Sequence, residues 1–238
     1  MKALIFAAGR GERLKPLTDH TPKPLVKVHD KPLIQHHIES LQKAGITDLV
    51  INVSWLKEQI ISFITELCTQ SQFSDITVQF SIEADYPLET GGGMLKALPL
   101  LGNNPFLVVN ADVFTDFNFN KLTALSNNQL VNLVLVENPE HNNNGDFALV
   151  NDYLALKTDQ HSSYTYAGIG LYHPDLLATP INTDQFPEVF SIVPHIKAAL
   201  AHQQAGAQLH IGKWHDVGTP ERLKALSDVL SDAFNHQG

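Results

Sequence analysis

The chain has 238 residues, a formal net charge of −9 and a hydrophobic content of 43%. These values describe a globular protein with a sizeable core, and the acidic balance argues against general binding to nucleic acids or membrane surfaces. A single cysteine excludes an internal disulfide, and no stretch reaches the ~18 apolar residues needed to cross a bilayer. We therefore expect a cytoplasmic protein without nucleic-acid, membrane or protein partners.

The first segment is a short apolar run over residues 4–8, followed by a loop that contains Gly9 and Gly11. The run is typical of a buried strand, and the glycines let the backbone turn tightly and expose N–H groups. Basic side chains are concentrated here, although the chain as a whole is acidic: Arg10, Arg13, Lys15 and Lys23. We expect an anion-binding loop at the carboxyl end of the first strand, where open α/β sheets bind ligands.

The rest of the first half alternates helical and strand patterns. Apolar residues recur at helical spacing over 32–44, 55–67 and 94–101, and three glycines precede the third helix. Strand patterns occur over 49–53, 76–82 and 106–110. This alternation predicts a mainly parallel sheet with helices on both faces.

The second half has shorter strand patterns, of the kind that form antiparallel hairpins. The predicted strands are 130–136, 146–150, 166–172, 207–211 and 214–217, and the predicted helices are 193–203 and one that begins after Thr219 as N-cap. We expect one domain over 1–238 of the α/β class, a Rossmann-like three-layer α/β/α fold with a mostly parallel central sheet. Residues 1–125 form its nucleotide-binding half and 126–238 a smaller, more antiparallel half.

The opening loop has three interpretations. A dinucleotide-binding fingerprint needs a small residue where Leu14 stands, and a P-loop needs a Gly-Lys-Ser/Thr sequence that is missing. The third rests on a double motif: Ala7-Ala8-Gly9-x-Gly11-x-Arg13-Leu14-x-Pro16-Leu17-Thr18, then Pro22-Lys23-Pro24-Leu25. This motif resembles that of the sugar-1-phosphate nucleotidyltransferases. The resemblance implies a GT-A-like fold, transfer of a nucleotidyl group to a sugar phosphate bound by the second half, and Mg²⁺ as cofactor.

The resemblance also implies a role for each part of the loop. Backbone N–H groups around Gly9 and Gly11 would hold the triphosphate, and Arg13 would bind the phosphates that leave. Lys23 would place a positive charge between the α-phosphate and the sugar phosphate. The predicted nucleotide-binding residues are Ala8, Gly9, Gly11, Glu12, Arg13, Lys23, Glu83, Glu89 and Gly91, and the predicted catalytic residues are Arg13, Lys23 and Asp112.

Two aspartates lie at the ends of predicted strands: Asp112 comes just after 106–110, and Asp216 lies near the end of 214–217, within Trp-His-Asp-Val-Gly-Thr. The resemblance implies that Asp112 binds Mg²⁺, and a helix N-cap is the other interpretation of this residue. Asp216 matches the Trp-x-Asp-x-Gly-Thr of the family. Two carboxylates, substrate phosphates and waters are a usual ligand set for Mg²⁺, so we predict Asp112 and Asp216 as the metal ligands. His215 is a candidate for orienting Asp216.

The stretch from Glu83 to Gly93 is predicted to contact the base and ribose, because glycines at a helix start allow a close approach. A carboxylate at the base edge suits guanine, since uracil offers only its N3–H there. A mannose- or heptose-1-phosphate guanylyltransferase therefore stays open. So does a choline-phosphate cytidylyltransferase, for which three tyrosines are available: Tyr86, Tyr164 and Tyr166. A nucleotide-sugar sensor without catalysis is disfavoured, because the predicted catalytic and metal residues are all present.

Residues 88–101 and 105–116 are similar to one branch of the family, the N-acetylmuramate-1-phosphate uridylyltransferases of peptidoglycan recycling. This similarity implies UTP and N-acetylmuramate 1-phosphate as substrates. One departure concerns a Glu-Lys-Pro segment, whose lysine contacts the sugar phosphate in many relatives: it is absent here, and Lys157 lies outside any such motif. The predicted sugar-binding residues are Asn110, Gly145, Asp146, Ala167 and Gly168.

Overall fold

The fold is built around its first strand, β1 (Lys2–Phe6), whose middle residues are completely buried. Ala3 and Ile5 pack into the apolar core on one face of the sheet, whereas Leu4 packs into the core on the other face. The alternation follows from the two-residue period of a strand. The computed structural model describes residues 1–84, 86–122, 124–126, 128–150, 153–159, 161–178 and 188–235.

Within these residues the central sheet has nine strands, in the order β5-β4-β1-β6-β11-β8-β12-β10-β9. Strands β5, β4, β1 and β6 are mutually parallel, as the alternation of the first half predicts. Strands β10 and β11 run opposite to the others. The strands of this sheet are β1, β4 (Asp48–Val53), β5 (Thr77–Ile82), β6 (Phe106–Asn110), β8 (Val131–Val136), β9 (Phe147–Val150), β10 (Tyr153–Ala155), β11 (Ser163–Tyr172) and β12 (Ala205–Leu209).

Two short ribbons lie outside the central sheet. One joins β2 (Lys27–Val28) to β3 (Lys31–Pro32), and the other joins β7 (Val113–Thr115) to β13 (Trp214–Asp216) in antiparallel pairing. The second ribbon brings the segment after β6 beside residues 214–216, which precede α5.

The helices cover both faces of the sheet, which makes three layers. Apolar residues of α1 and α2 pack on one face, and those of α3 and α4 pack on the other. The fifth helix covers a smaller core of Leu14, Val26, Val28, Leu33 and Val217, next to the opening loop. The helices are α1 (Leu33–Lys43), α2 (Lys57–Cys68), α3 (Glu89–Leu101), α4 (Val193–Ala201) and α5 (Pro220–Asn235). No helix in the described part of the chain is long and apolar enough to cross a membrane.

The structure differs from the sequence prediction chiefly at α3, which begins at Glu89 and not at residue 94. The three glycines therefore form its first turns. Their low helix propensity is overcome by tertiary contacts, which are described below. The N-cap of α5 is as predicted, since Thr219 Oγ1 accepts a hydrogen bond from Arg222 N at 3.3 Å.

The core on the α1 face gives a stability test. Ile38 on α1 is fully buried, whereas Ile211 is 86% exposed. We expect Ile38→Ala to lower the free energy of unfolding by about 2–5 kcal/mol, because it leaves a cavity in the core. The matched variant Ile211→Ala should change it by less than about 0.5 kcal/mol. Urea denaturation followed by circular dichroism measures both, and similar losses in the two variants would contradict this placement of the core.

Candidate active site

The opening loop folds back on itself through Gly11 and Thr18. Gly11 has φ of 65°, and its carbonyl accepts hydrogen bonds from Leu14 N and from Thr18 Oγ1, both at 2.8 Å. A Cβ at position 11 would lie 2.9 Å from the Thr18 methyl group, so this turn requires glycine. Trp55 Nε1 donates to Thr18 O at 3.0 Å and joins the loop to the segment before α2. The glycine and the threonine of the motif thus shape the loop.

A cavity of about 350 Å³ lies at the carboxyl ends of β1, β4 and β6. Most of the predicted nucleotide-binding residues line it, together with Asn110 at the end of β6 and Asp112 just after it: Ala8, Gly9, Gly11, Glu12, Arg13, Lys23, Glu83, Glu89, Asn110 and Asp112. Glu12 is exposed, and a hydrogen bond from Lys15 lowers the pKa of its carboxyl. The structure therefore brings together side chains that lie up to about half the chain apart.

Lys23 and Asp112 form an ion pair at the inner wall of this cavity. Lys23 Nζ donates to Asp112 Oδ2 at 2.5 Å, and the lysine side chain is largely buried. Asp112 is a ligand candidate and not a helix N-cap, because β7 follows it at Val113. The pair joins the second part of the opening motif to the end of β6.

Asp216 lies beside Asp112 through the ribbon of β7 and β13. Val217 N donates to Asp112 O at 2.8 Å, which places the two backbone segments side by side. The Asp216 carboxylate pairs with Arg222 through Oδ2, and the His141 ring nitrogen lies 3.1 Å from Oδ1. His141 and Arg222 therefore hold this carboxylate, in place of the candidate His215.

The two aspartates are suited to a divalent cation. Both border the same cavity, and Asp216 Oδ1 is buried without a hydrogen bond of good geometry. No group of three or more His, Cys, Asp or Glu side chains that could hold a metal occurs within the described residues. A cation here would take two protein oxygens and complete its shell with substrate and water oxygens, which is common for Mg²⁺.

A second cavity of about 330 Å³ adjoins the first, and the two share Asn110 and Asp112. Four of the five predicted sugar-binding residues line it: Asn110, Asp146, Ala167 and Gly168. Gly168 has φ of 72°, and a Cβ there would lie 2.7 Å from Asn110 Nδ2. Asp146 Oδ2 accepts from Tyr166 N at 2.8 Å, which fixes the carboxylate at the rim of this cavity.

Gly145 is not among the residues that line this second cavity. It has φ of 59°, and a Cβ would lie 2.6 Å from Asn138 Oδ1, so it serves the turn before β9. Lys157 Nζ donates to Gly145 O at 2.7 Å. The lysine that the sequence left unassigned thus supports this turn.

Glu83 is buried, and both of its oxygens accept hydrogen bonds from the protein. Asn52 Nδ2 donates to Oε1 at 2.6 Å, and Leu88 N donates to Oε2 at 2.7 Å. Burial raises the pKa of the Glu83 carboxyl, against the opposite effect of these two hydrogen bonds. Glu83 lies in the wall of the first cavity, but protein groups already occupy the oxygens that were expected to meet the base.

The three glycines of α3 contact protein segments. Gly91 N and Gly92 N donate to Phe190 O at 2.9 and 3.1 Å, and Thr90 Oγ1 accepts from Ile192 N at 3.0 Å. A Cβ on Gly91 or Gly92 would lie 2.4 Å from an atom of Phe190 or Glu188. Phe190 accepts the hydrogen bond of the Gly91 amide and packs against the Gly91 Cα. Gly91 is therefore not among the residues that line the first cavity, where a contact with the nucleotide was predicted for it.

Sequence reasoning missed Asn52, His141, Phe190 and Arg222. The sequence could have indicated Arg222, because this residue lies in the first turn of a helix that begins shortly after Asp216. The other three act through contacts across the fold that no local pattern encodes.

The chain belongs to the Nucleotidyl transferase family, whose sequence profile matches residues 2–232. It is therefore a nucleotidyltransferase, and the predicted fold class is confirmed. The chain is 41% identical to an N-acetylmuramate alpha-1-phosphate uridylyltransferase from Neisseria meningitidis, over 94% of this chain and 96% of that protein. It is 31% identical to a mannose-1-phosphate guanyltransferase from Gibberella zeae, over 100% of this chain and 66% of that longer protein.

The fold is also similar to a solved structure from Bacillus anthracis, named as a glucose-1-phosphate thymidylyltransferase in complex with sucrose. The TM-score is 0.78 at 20% identity, and the match covers 96% of this chain and 94% of that chain. This likeness supports the α/β architecture with a mixed central sheet.

The glycine contacts lead to a second stability test. In Gly92→Ala the new Cβ would lie 2.4 Å from the Glu188 carbonyl oxygen, whereas a Cβ on Gly9 meets nothing within 4 Å. We expect Gly92→Ala to destabilise the protein by about 1–3 kcal/mol, because the backbone must move to accept the methyl group. Gly9→Ala should change stability by less than about 0.5 kcal/mol. Equal unfolding midpoints in urea for both variants would show that the segment at Glu188 does not pack on α3.

Proposed function

We propose that this enzyme transfers the uridylyl group of UTP to N-acetylmuramic acid 1-phosphate, giving UDP-N-acetylmuramate and pyrophosphate. The observation on which this rests is the position of Asp112, bonded to Lys23, in the wall shared by two cavities. One cavity is bordered by the opening loop and suits the nucleoside triphosphate, and the other suits the sugar 1-phosphate. Identity of 41% with a uridylyltransferase over nearly the whole chain supports this choice of substrates.

In the proposed reaction an oxygen of the sugar 1-phosphate attacks the α-phosphorus of UTP in line. A bond forms between that oxygen and the α-phosphorus, while the bond from the α-phosphorus to the bridging oxygen breaks and its electron pair leaves with pyrophosphate. The nucleophile is already an anion, so the reaction needs no general base. The protein contributes positioning and neutralisation of negative charge.

The residues of the first cavity have distinct proposed roles. Backbone N–H groups around Gly9 and Gly11 hold the triphosphate, and the exposed Arg13 binds the β- and γ-phosphates that leave. Lys23 lies at the boundary with the second cavity, where its ammonium group faces both the α-phosphate and the sugar phosphate.

Asp112 and Asp216 would hold Mg²⁺, which when bound neutralises charge on the reacting phosphate oxygens. Arg222 and His141 orient the Asp216 carboxylate toward the second cavity, which Asp112 also lines. Asn110, Asp146 and the backbone at Gly168 are placed to contact the sugar.

A mannose-1-phosphate guanylyltransferase is the second candidate, because such enzymes are among the relatives at 31% identity. The argument for guanine from Glu83 is weakened by the hydrogen bonds that its oxygens accept from Asn52 and Leu88. UTP therefore remains the proposed nucleotide. We further propose that the enzyme acts in the cytoplasm, in the recycling of peptidoglycan sugars, as implied by the resemblance to that branch of the family.

The proposed specificity can be tested by a pyrophosphate-release assay. The four nucleoside triphosphates are each combined with N-acetylmuramate, N-acetylglucosamine, glucose and mannose 1-phosphates in the presence of Mg²⁺. We expect the highest kcat/KM for UTP with N-acetylmuramate 1-phosphate, and no release after chelation of Mg²⁺ with EDTA. The highest value for GTP with mannose 1-phosphate would replace the uridylyltransferase proposal by the guanylyltransferase.

The ion pair can be tested by removing each charge separately. Lys23→Gln should lower kcat/KM by about 10²–10³, since it removes a cation that faces the reacting phosphates. Asp112→Asn should cause a loss of similar size through the metal site. The exposed Lys27 gives a matched control, and Lys27→Gln should keep wild-type rates. Near-normal pyrophosphate release by Asp112→Asn, with the variant folded by circular dichroism, would rule out the metal assignment.

A further inference from the structure

Three hydrogen bonds form a continuous chain beneath the first cavity. Ala7 N donates to Asn52 Oδ1 at 2.7 Å, Asn52 Nδ2 donates to Glu83 Oε1 at 2.6 Å, and Leu88 N donates to Glu83 Oε2 at 2.7 Å. All three bonds are buried, so each makes a larger difference than it would in water. The chain connects the end of β1, the end of β4, the segment after β5 and the start of α3.

The backbone donors at the two ends of this chain of hydrogen bonds fix the direction of every bond in it. Ala7 N and Leu88 N are backbone donors, so Asn52 must present its oxygen to Ala7 and its NH₂ group to Glu83. Glu83 must then accept on both oxygens. Because every bond has one possible direction, a change that removes a donor or an acceptor from Asn52 or Glu83 leaves a buried group without its partner.

Leu88, the last residue in this chain of hydrogen bonds, precedes a residue with a strained backbone. Leu88 N donates to Glu83, and Leu88 O accepts from Phe190 N at 3.2 Å, so both polar backbone groups of Leu88 are held. The next residue, Glu89, lines the cavity and has φ of 59°, a conformation unfavourable for a residue with a side chain. Contacts on both sides of Leu88 therefore impose the shape of this part of the cavity.

Gly93 makes room for the middle of the chain. A Cβ at this position would lie 2.7 Å from Glu83 Oε1 and 2.9 Å from Asn52 Nδ2. This close approach of Asn52 and Glu83 explains why position 93, the third of the three consecutive glycines of α3, has no side chain.

We propose that Glu83 is a positioning residue: held by Asn52, its carboxylate fixes the turn at Leu88 and Glu89 and so shapes the nucleotide cavity, without reading the identity of the base. The inference rests on the proposed function in one respect, that a nucleoside triphosphate enters this cavity. It assigns Asn52 to the same task, because Asn52 links Glu83 to the opening loop.

The test exchanges the two side chains of the middle bond. Glu83→Gln places an NH₂ group opposite one of the two donors, Asn52 Nδ2 or Leu88 N, and Asn52→Asp places two carboxylates opposite each other. In the double variant, the carboxylate introduced at position 52 accepts from Ala7 N and from the amide introduced at position 83. The oxygen of that amide accepts from Leu88 N, so all three bonds are restored with the middle one reversed. Glu66→Gln, an exposed change on α2, is the matched control.

Each variant is assayed for KM and kcat with every nucleoside triphosphate, for UTP affinity by calorimetry without a sugar phosphate, and for thermal unfolding. Each single variant should raise KM for all four triphosphates by about tenfold or more, as expected for one unpaired buried group, and should leave kcat nearly unchanged. The double variant should return KM and UTP affinity to within about threefold of wild type. Glu66→Gln should match wild type throughout.

Two results would overturn the proposal. A change in the preferred triphosphate in Glu83→Gln would show that Glu83 reads the base. A double variant that folds but binds UTP no better than the single variants would show that the bond between positions 52 and 83 is not what matters. If the single variants do not fold, Gly93→Ala displaces the same pair with one methyl group, and it must raise KM with kcat retained.

The wild-type substrate screen separates the two proposals: another preferred triphosphate would refute UTP as substrate, and the exchange test would then use that triphosphate.

Discussion

The ion pair between Lys23 and Asp112 is the contact on which the rest of the site depends. It joins the second part of the opening motif to the end of β6, and it lies where the two cavities meet. The ribbon of β7 and β13 then adds Asp216 beside Asp112. One buried lysine thereby relates the loop proposed for the triphosphate to both predicted metal ligands. The lysine is the more deeply buried partner, and it places its cation beside the partly exposed Asp112 carboxylate from the segment that also borders the first cavity.

The site also shows how an acidic protein can accommodate polyanionic substrates. The chain has a formal charge of −9, yet each predicted metal ligand is paired with a cationic or ionisable side chain: Asp112 with Lys23, and Asp216 with Arg222 and His141. The negative potential of these carboxylates is thus reduced locally. Backbone N–H groups at a glycine-containing loop add positive potential without adding net charge. Local arrangement, more than overall charge, determines which ligands such a site suits.

Much of the fold followed from local patterns, and much of the site did not. Apolar patterns predicted β4, β6 and α1 to within one residue at each end and β1 to within two, because those elements bury one face or both in the two main cores. The opening motif pointed to Lys23 and the end of a buried strand pointed to Asp112, but no local pattern predicted that these two side chains form an ion pair. The start of α3 was placed five residues late, since glycines disfavour a helix unless another segment packs on them, as residues 188–192 do here. The Asn52–Glu83 bond joins residues 31 positions apart, and only the parallel register of β4 and β5 brings them together.

The separation in sequence of the site residues has a consequence for how the protein reaches its native state. Lys23 and Asp112 are 89 positions apart, and Asp112 meets Asp216 only through a ribbon that pairs strands about a hundred residues apart. Strand β12 likewise enters the sheet beside β8 after a long excursion of the chain. Non-local pairings of this kind form slowly, because the loop entropy is lost before the contacts are gained. During synthesis, Asp216 leaves the ribosome about a hundred residues after Asp112, so the two carboxylates can come together only after most of the chain has been made.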